Sequence, residues 1–181
     1  MQYLYKIMGT EPRVSGAVYH LRQTEELQSL LINITSDAGL PVKVDWQLAT
    51  GDYRLNHQIP YVNWYNNVSN IIALLEGESG VQPNGDLGTS LLLNCHYDSV
   101  PFALGASDNV VFCAIMAETL HRLSQRTTKF KHNLIFLFNG AEENPLQGSH
   151  AFLQHPWAKN ITAVVNLDAA GMNGKANLFQ V

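Results

Sequence analysis

Six side chains in this sequence belong to types that bind divalent metals or move protons. They are His96 and Asp98, Asp108, the adjacent pair Glu142 and Glu143, and Asp168. Carboxylates around a single imidazole form a donor set for zinc, or for manganese or cobalt in the same geometry. Five acids cannot converge on one place unless divalent cations are present or several acids are protonated. No set of Lys or Arg in the same loops could neutralise them. His96 and Asp98, at i and i+2 of an extended chain, point to one face. His96 can then bind metal while Asp98 holds its other ring nitrogen and fixes the tautomer. Asp108, at the start of an expected helix, is kept ionised by the helix dipole and suits a carboxylate that bridges two metals. Glu142 and Glu143 are neighbours, so their side chains diverge. One can coordinate while the other faces a metal-activated water as general base, a role worth roughly 10²–10⁴ in rate. This is equipment for peptide hydrolysis. Each piece alone has a plainer reading, as a surface pair, a helix cap or a solvated turn. All of them in this order, each at an element boundary, do not.

Elements that place these residues can be read from the apolar pattern. Leu134 to Phe138 are five consecutive large apolar residues, ended by Gly140 and the Glu pair. Such a run fits a strand over 133–139, buried on both faces. Ser90 to Cys95 and Ala163 to Leu167 read as further strands, ending at His96 and Asp168. If the three run parallel, their carboxyl ends share one edge of the sheet, where open α/β sheets bind ligands. A helix from about Asp108 to Gln125 carries one narrow polar stripe, Glu118, His121, Arg122 and Gln125, and is otherwise apolar. It therefore packs against the sheet. A further helix is expected from about Leu146 to His155, with His150 and His155 on its surface.

Upstream, residues 14 to about 37 read as a helix, with Leu27, Leu30, Leu31 and Ile34 at i, i+3, i+4 and i+7. Val42, Val44, Trp46 and Leu48 alternate with polar residues as in a half-buried strand. Residues 51–66 lack periodicity and read as a loop or a wandering edge strand. Val68 to Glu76 is a strand, and the Gly-, Pro- and Asn-rich 78–88 a turn. Together they predict an antiparallel hairpin of 68–76 with 90–95. Ala176 to Val181 reads as one more strand. Strand–helix alternation after residue 90 implies right-handed βαβ units with helices on both faces.

The bulk numbers agree with a globular enzyme-sized unit. At 181 residues, 46% hydrophobic and 14% charged, the chain is one domain with a real core. A net charge of −4, with no Lys or Arg run, argues against a nucleic-acid partner or an anionic membrane surface. No apolar stretch reaches the ~18 residues of a membrane span, and no signal peptide opens the chain. The two cysteines, Cys95 and Cys113, make no disulfide framework and read as buried free thiols. Asn33, Asn67 and Asn160 begin glycosylation sequons, which permit a secretory compartment.

The motifs NCHYDSV (94–100), GASDN (105–109), NGAEENPLQGS (139–149) and NLDAAG (166–171) together resemble the family-28 zinc metallopeptidases, from about residue 60 onward. The resemblance implies a three-layer α/β/α sandwich with a mixed, mostly parallel central sheet. It implies Zn2+ as cofactor, two per complete domain, and a peptide or protein substrate. His96, Asp108 and Asp168 would bind one zinc, and Asp108 and Glu143 the other. Glu142 would be the general base and Asp98 the residue behind His96. EPRVSG near the start, FLFNGAEEN and QHPWA resemble a subgroup whose peptidase domain faces the lumen of the endoplasmic reticulum, ahead of a membrane-spanning region. The family takes a further zinc-binding His downstream of the Asp168 motif, and no His follows His155 here. The expectation is a single domain over 1–181, incomplete at its C-terminus and slightly at its N-terminus. Two other readings compete with an aminopeptidase: a non-catalytic scaffold of the same fold, and a single-zinc enzyme cyclising N-terminal glutamine.

Overall fold

The structure, a computed structural model, describes residues 2–56, 58–169, 171 and 173–178. Among them, five strands form one mixed sheet: β1 (Val42–Leu55), β2 (Tyr61–Leu75), β3 (Ser90–His96), β4 (Asn133–Asn139) and β5 (Ile161–Asn166), in the spatial order β1-β2-β4-β3-β5. β3 is parallel to β4 and β5, while β2 is antiparallel to β1 and β4. β2 is thus the one reversed strand, and the carboxyl ends of β3, β4 and β5 share an edge as expected.

β4 has the most apolar sequence and occupies the centre, buried at all seven positions. Its side chains alternate between two cores, as a pleated strand requires. Leu134, Phe136 and Phe138 pack with Leu27, Leu31, Met116 and Leu120, from helices α2 (Val18–Ile34) and α3 (Val111–Ser124). Ile135 and Leu137 pack on the other face with Phe152 and Trp157, from α4 (Gln147–Phe152) and the 3-10 turn 156–158. Helices therefore cover both faces, giving the three layers. A short helix, α1 (Gln2–Met8), joins the first layer through Ile7.

Two expectations are corrected. The strands 68–76 and 90–95 do not pair, because β4 lies between them. The connecting loop crosses the start of β4 instead. There the Glu78 N–H donates to the Phe130 carbonyl at 2.8 Å, and the Gly77 N–H to Asn133 Oδ1 at 2.9 Å. For 51–66 the edge-strand reading holds and the loop reading does not: Gly51 to Leu55 end the edge strand β1 and Tyr61 to Asn66 open β2, the far half of a hairpin paired from Gly51↔Tyr65 to Leu55↔Tyr61. It projects beyond the other strands, so neither face is fully covered and no apolar alternation marks it. Leu48 is accordingly exposed and Ala49 buried, next to a register shift between Ala49 and Gly51.

Smaller differences concern element ends. α2 starts at Val18 rather than 14; just before it, Arg13 is tied through backbone and side chain to the loop after β3. α4 stops at Phe152. His155 lies beyond it, buried and 3.1 Å from Asp45 Oδ2, not on a helix surface. Of the strand expected over 176–181, Ala176 to Leu178 carry no strand, and the rest lies outside the described residues. Cys95 and Cys113 are both buried and free, as expected. Among the described residues no helix is long and apolar enough to cross a membrane.

Candidate metal centre

His96 ends β3 with 2% of its side chain exposed. The strand delivers it to the carboxyl edge, and three acids from three other segments meet its Nε2. Asp108 Oδ1 lies at 3.0 Å, Asp168 Oδ1 at 3.6 Å and Glu142 Oε2 at 3.8 Å. On the opposite side of the ring, Asp98 Oδ1 lies 3.3 Å from Nδ1. Glu143 completes the group: ligand atoms of His96, Asp108 and Glu143 all lie within 4.8 Å of one another. All six residues expected at the site are thus brought to one edge.

Each acid has a local reason for its place. Asp98 is buried because it is fully engaged: its Oδ1 accepts the Glu142 N–H at 3.0 Å and its Oδ2 the Glu143 N–H at 3.1 Å. Asp108 is not a helix cap. It lies in a kinked turn, 106–110, with extended φ −123° and ψ 92°, and Val110 caps α3. The peptide after it is cis. Asp168 follows β5, and the neighbouring Leu167 carbonyl accepts from Asn109 Nδ2 at 2.8 Å, which draws the Asp168 segment to the Asp108 turn. The Glu pair leaves β4 through Gly140. A side chain on Gly140 would run into the Ser69 carbonyl and the Tyr97 hydroxyl, so only Gly lets the chain turn there.

Electrostatics in the cluster favour a cation. Among the described residues no Lys or Arg pairs with any of these acids; their ion pairs are all with His96. Burial disfavours a charged imidazole. The carboxylates of Asp168, Asp98 and Glu142 outweigh it and push the His96 pKa up to about 11. Burial raises the Glu142 carboxyl, helped by Asp168, Asp98 and Glu143 and opposed by His96. Burial and then Asp108 raise that of Glu143. Asp168 is held low by its bond to His96. A bound proton on His96 stands where a metal would put its charge. Oxygen donors with one imidazole, and no competing cation, fit zinc.

Two supports were not legible in the sequence. Arg13 is fully buried. Its Nε donates to the Tyr97 carbonyl at 2.6 Å, its Nη2 to the Leu104 carbonyl at 2.8 Å, and its Nη1 to the Met8 carbonyl. Its own backbone exchanges bonds with Ser99, through Oγ at 2.9 Å and N–H at 3.1 Å. Arg13 therefore pins both ends of the 97–104 loop, which carries Asp98 and separates His96 from Asp108. The second support is the β1–β2 hairpin. Tyr53 donates to the Pro145 carbonyl, and Gln147 Nε2 to Asn63 Oδ1 at 2.7 Å, so the hairpin grips the segment just after Glu143. His150 faces Tyr65 there, at 2.8 Å from its hydroxyl, and lies outside the metal cluster, as does His155.

Fold and site together define an α/β protein with an acid-rich candidate metal site at the carboxyl edge of its sheet. The chain belongs to peptidase family M28, whose sequence model matches residues 70–181. Endoplasmic reticulum metallopeptidase 1 of Homo sapiens is 40% identical over 186 residues, covering 98% of this chain and 20% of that protein. The chain thus spans about a fifth of the length of the curated relatives it matches first. Among solved structures, the LapA aminopeptidase of Legionella pneumophila superposes with a TM-score of 0.72 at 19% identity, over 92% of this chain and 41% of that one. The glutaminyl cyclase of Porphyromonas gingivalis gives 0.60 at 18% identity, over 92% and 56%. At these identities the two structures show a shared fold.

Proposed function

We propose that residues 1–181 belong to one peptidase domain that removes residues from peptide ends, most simply as a zinc aminopeptidase. The convergence of Asp108, Asp168 and Glu142 on Nε2 of a buried His96, with Asp98 behind the ring, carries this reading. His96, Asp108 and Asp168 would hold one zinc; Asp108 and Glu143 would begin the second site. When bound, zinc would polarise the scissile carbonyl and make water acidic enough to lose a proton near neutral pH. Glu142 is the base that takes that proton. Its raised carboxyl holds a proton more readily than an ordinary Glu, which suits both taking it up and passing it to the leaving amine. Asp98 fixes the His96 ring and, through the two backbone N–H groups, the direction of Glu142 and Glu143.

Glu142→Gln in the full-length protein tests the base. Metal content should stay normal while peptide hydrolysis falls by roughly 10²–10⁴. Wild-type turnover in that variant would rule Glu142 out. Zinc content separates the competing readings: about two per chain accords with the peptidase, one with a glutaminyl cyclase-like enzyme, and none with a scaffold.

The human relative's name places that protein in the endoplasmic reticulum. The same compartment, with the domain in the lumen of a membrane-anchored protein, is our reading for this one. All three sequon asparagines are exposed: Asn33 on the last turn of α2, Asn67 within β2 and Asn160 just before β5, the last two with left-handed φ of 54° and 60°. A glycosidase-sensitive mass on the cell-expressed protein is expected. A chain without glycan at all three asparagines would argue against a lumenal domain.

A further inference from the structure

His20, in the first turn of α2, is only 1% exposed and takes no part in the chemistry above. Its ring is stacked on that of Tyr97, with centroids 5.1 Å apart and planes 5° from parallel. One turn further along α2, Thr24 Oγ1 donates to the His20 carbonyl at 2.9 Å. It therefore accepts from the Tyr97 hydroxyl, 2.7 Å away. Tyr97 follows His96, donates its backbone N–H to the Asn139 carbonyl at 2.8 Å and sets its hydroxyl against Gly140. Through Tyr97, α2 reaches the turn that carries Glu142 and Glu143.

Burial pushes the His20 pKa down, against the pull of Asp98 and of the Gly140 carbonyl, and Arg13 adds to the fall. The ring is therefore neutral at neutral pH, with one N–H and one lone pair. Among the described residues neither ring nitrogen has a hydrogen-bond partner of normal geometry. The Gly140 carbonyl faces the ring just short of that geometry. It lies past the end of the β3–β4 ladder and, among the described residues, accepts no backbone hydrogen bond. An orphan donor and an orphan acceptor thus face each other in the core, where each is costly alone. Packing accounts for the stack on Tyr97 but not for the imidazole, since Phe would stack as well and bring no unpaired nitrogen.

We propose that His20 is a positioning residue for Glu142 and Glu143, its neutral ring donating to the Gly140 carbonyl. Asp98 holds the N–H side of the turn, through Glu142 and Glu143. His20 holds the carbonyl side, and the Tyr97 ring keeps the two apart. The consequence for catalysis rests on the reading of Glu142 as the base. The hold on the turn does not.

The test compares His20→Phe, His20→Asn and His20→Gln in the full-length protein. Phe keeps the stack and removes the donor, while Asn and Gln place an amide N–H near Nδ1 and Nε2 respectively. Hydrogen–deuterium exchange is read by mass spectrometry on the metal-free proteins. In His20→Phe the peptide spanning 140–146 should exchange about tenfold faster, with β4 and the melting temperature no worse than in the wild type. One of the two amide variants should restore the wild-type rate, and it identifies the donating nitrogen. Wild-type exchange in His20→Phe overturns the proposal. So does faster exchange in β4 to the same extent, which is general loosening, and so does a failure of both amides to restore the rate. If His20→Phe does not fold, His20→Leu, which also lacks a donor, takes its place. With zinc added, kcat should fall about tenfold in the variant without a donor, with KM within about twofold, and recover in the restoring amide variant. Faster exchange with wild-type kcat would overturn the consequence for catalysis. A wild-type protein that hydrolyses no peptide would overturn the peptidase reading instead, and the exchange rates would still decide the hold on the turn.

Discussion

Nδ1 of His96 lies 3.3 Å from Oδ1 of Asp98, and the same carboxylate accepts the backbone N–H groups of Glu142 and Glu143. Asp98 therefore links three residues of the centre without reaching the metal side of it. Asp98→Asn keeps the shape but removes the charge. It also turns an NH2 toward one of the two N–H donors, leaving that donor unpaired in a buried place. Metal affinity should fall by about 10–100-fold, with a larger loss in kcat than in KM because Glu142 is misdirected. Zinc titration and steady-state kinetics on the full-length variant measure both. Unchanged affinity would mean that Asp98 is only a backbone anchor.

The charge balance at His96 gives a pH dependence with a definite sign. An ordinary imidazole titrates near 6.5, whereas in the metal-free fold His96 is pushed up to about 11. The folded chain binds this proton more tightly than the unfolded chain does. Its contribution to stability is therefore complete below about pH 6.5 and is lost as pH rises toward 11. If His96 is a ligand, bound metal would take the proton's place, and zinc binding at neutral pH should release about one proton from this ring. Calorimetry in buffers of different ionisation enthalpy counts that proton. No release would show that His96 is not a ligand.

How much of this was readable depends on where the information lay. Strand ends were legible because β4 is a continuous apolar run closed by Gly140, and because His96 ends β3 beside it and Asp168 follows β5, the next strand out. The central place of β4 was not, since sequence adjacency favours pairing β2 with β3, and only tertiary competition inserts the most apolar strand between them. The far half of the β1–β2 hairpin was hidden for a different reason. Its stabilising contacts are backbone pairs and polar grips such as Gln147 to Asn63, which leave no apolar period. Asp108 was placed at the right edge but in the wrong local frame. Its role in the site comes from the turn 106–110, whose extended backbone at Asp108 has no signature in composition.

Gly140 has a narrower consequence. Its neighbours are a backbone carbonyl, that of Ser69, and the hydroxyl of the fully buried Tyr97, so neither can give way cheaply. Gly140→Ala should cost about 1–3 kcal/mol through overpacking. It should also displace Glu142 and Glu143 together, because they follow in the same turn. Thermal unfolding and activity should drop in parallel. A stable variant with lost activity would place the strain in the Glu pair alone.

Arg13 is the remaining support with a separable test. Its guanidinium satisfies the carbonyls of Tyr97, Leu104 and Met8. Arg13→Ala leaves up to three buried carbonyls without that donor, at about 1–3 kcal/mol for each such loss and with incomplete additivity. Arg13→Lys keeps the charge, but its single ammonium cannot span acceptors at both ends of the loop. Both variants should lower the melting temperature of the metal-free protein. If Arg13 also sets the distance from His96 to Asp108, zinc affinity should fall in the Lys variant by more than its loss of stability accounts for. The comparison is a zinc titration at a temperature where both proteins are fully folded. Equal affinity there would confine Arg13 to stabilising the fold.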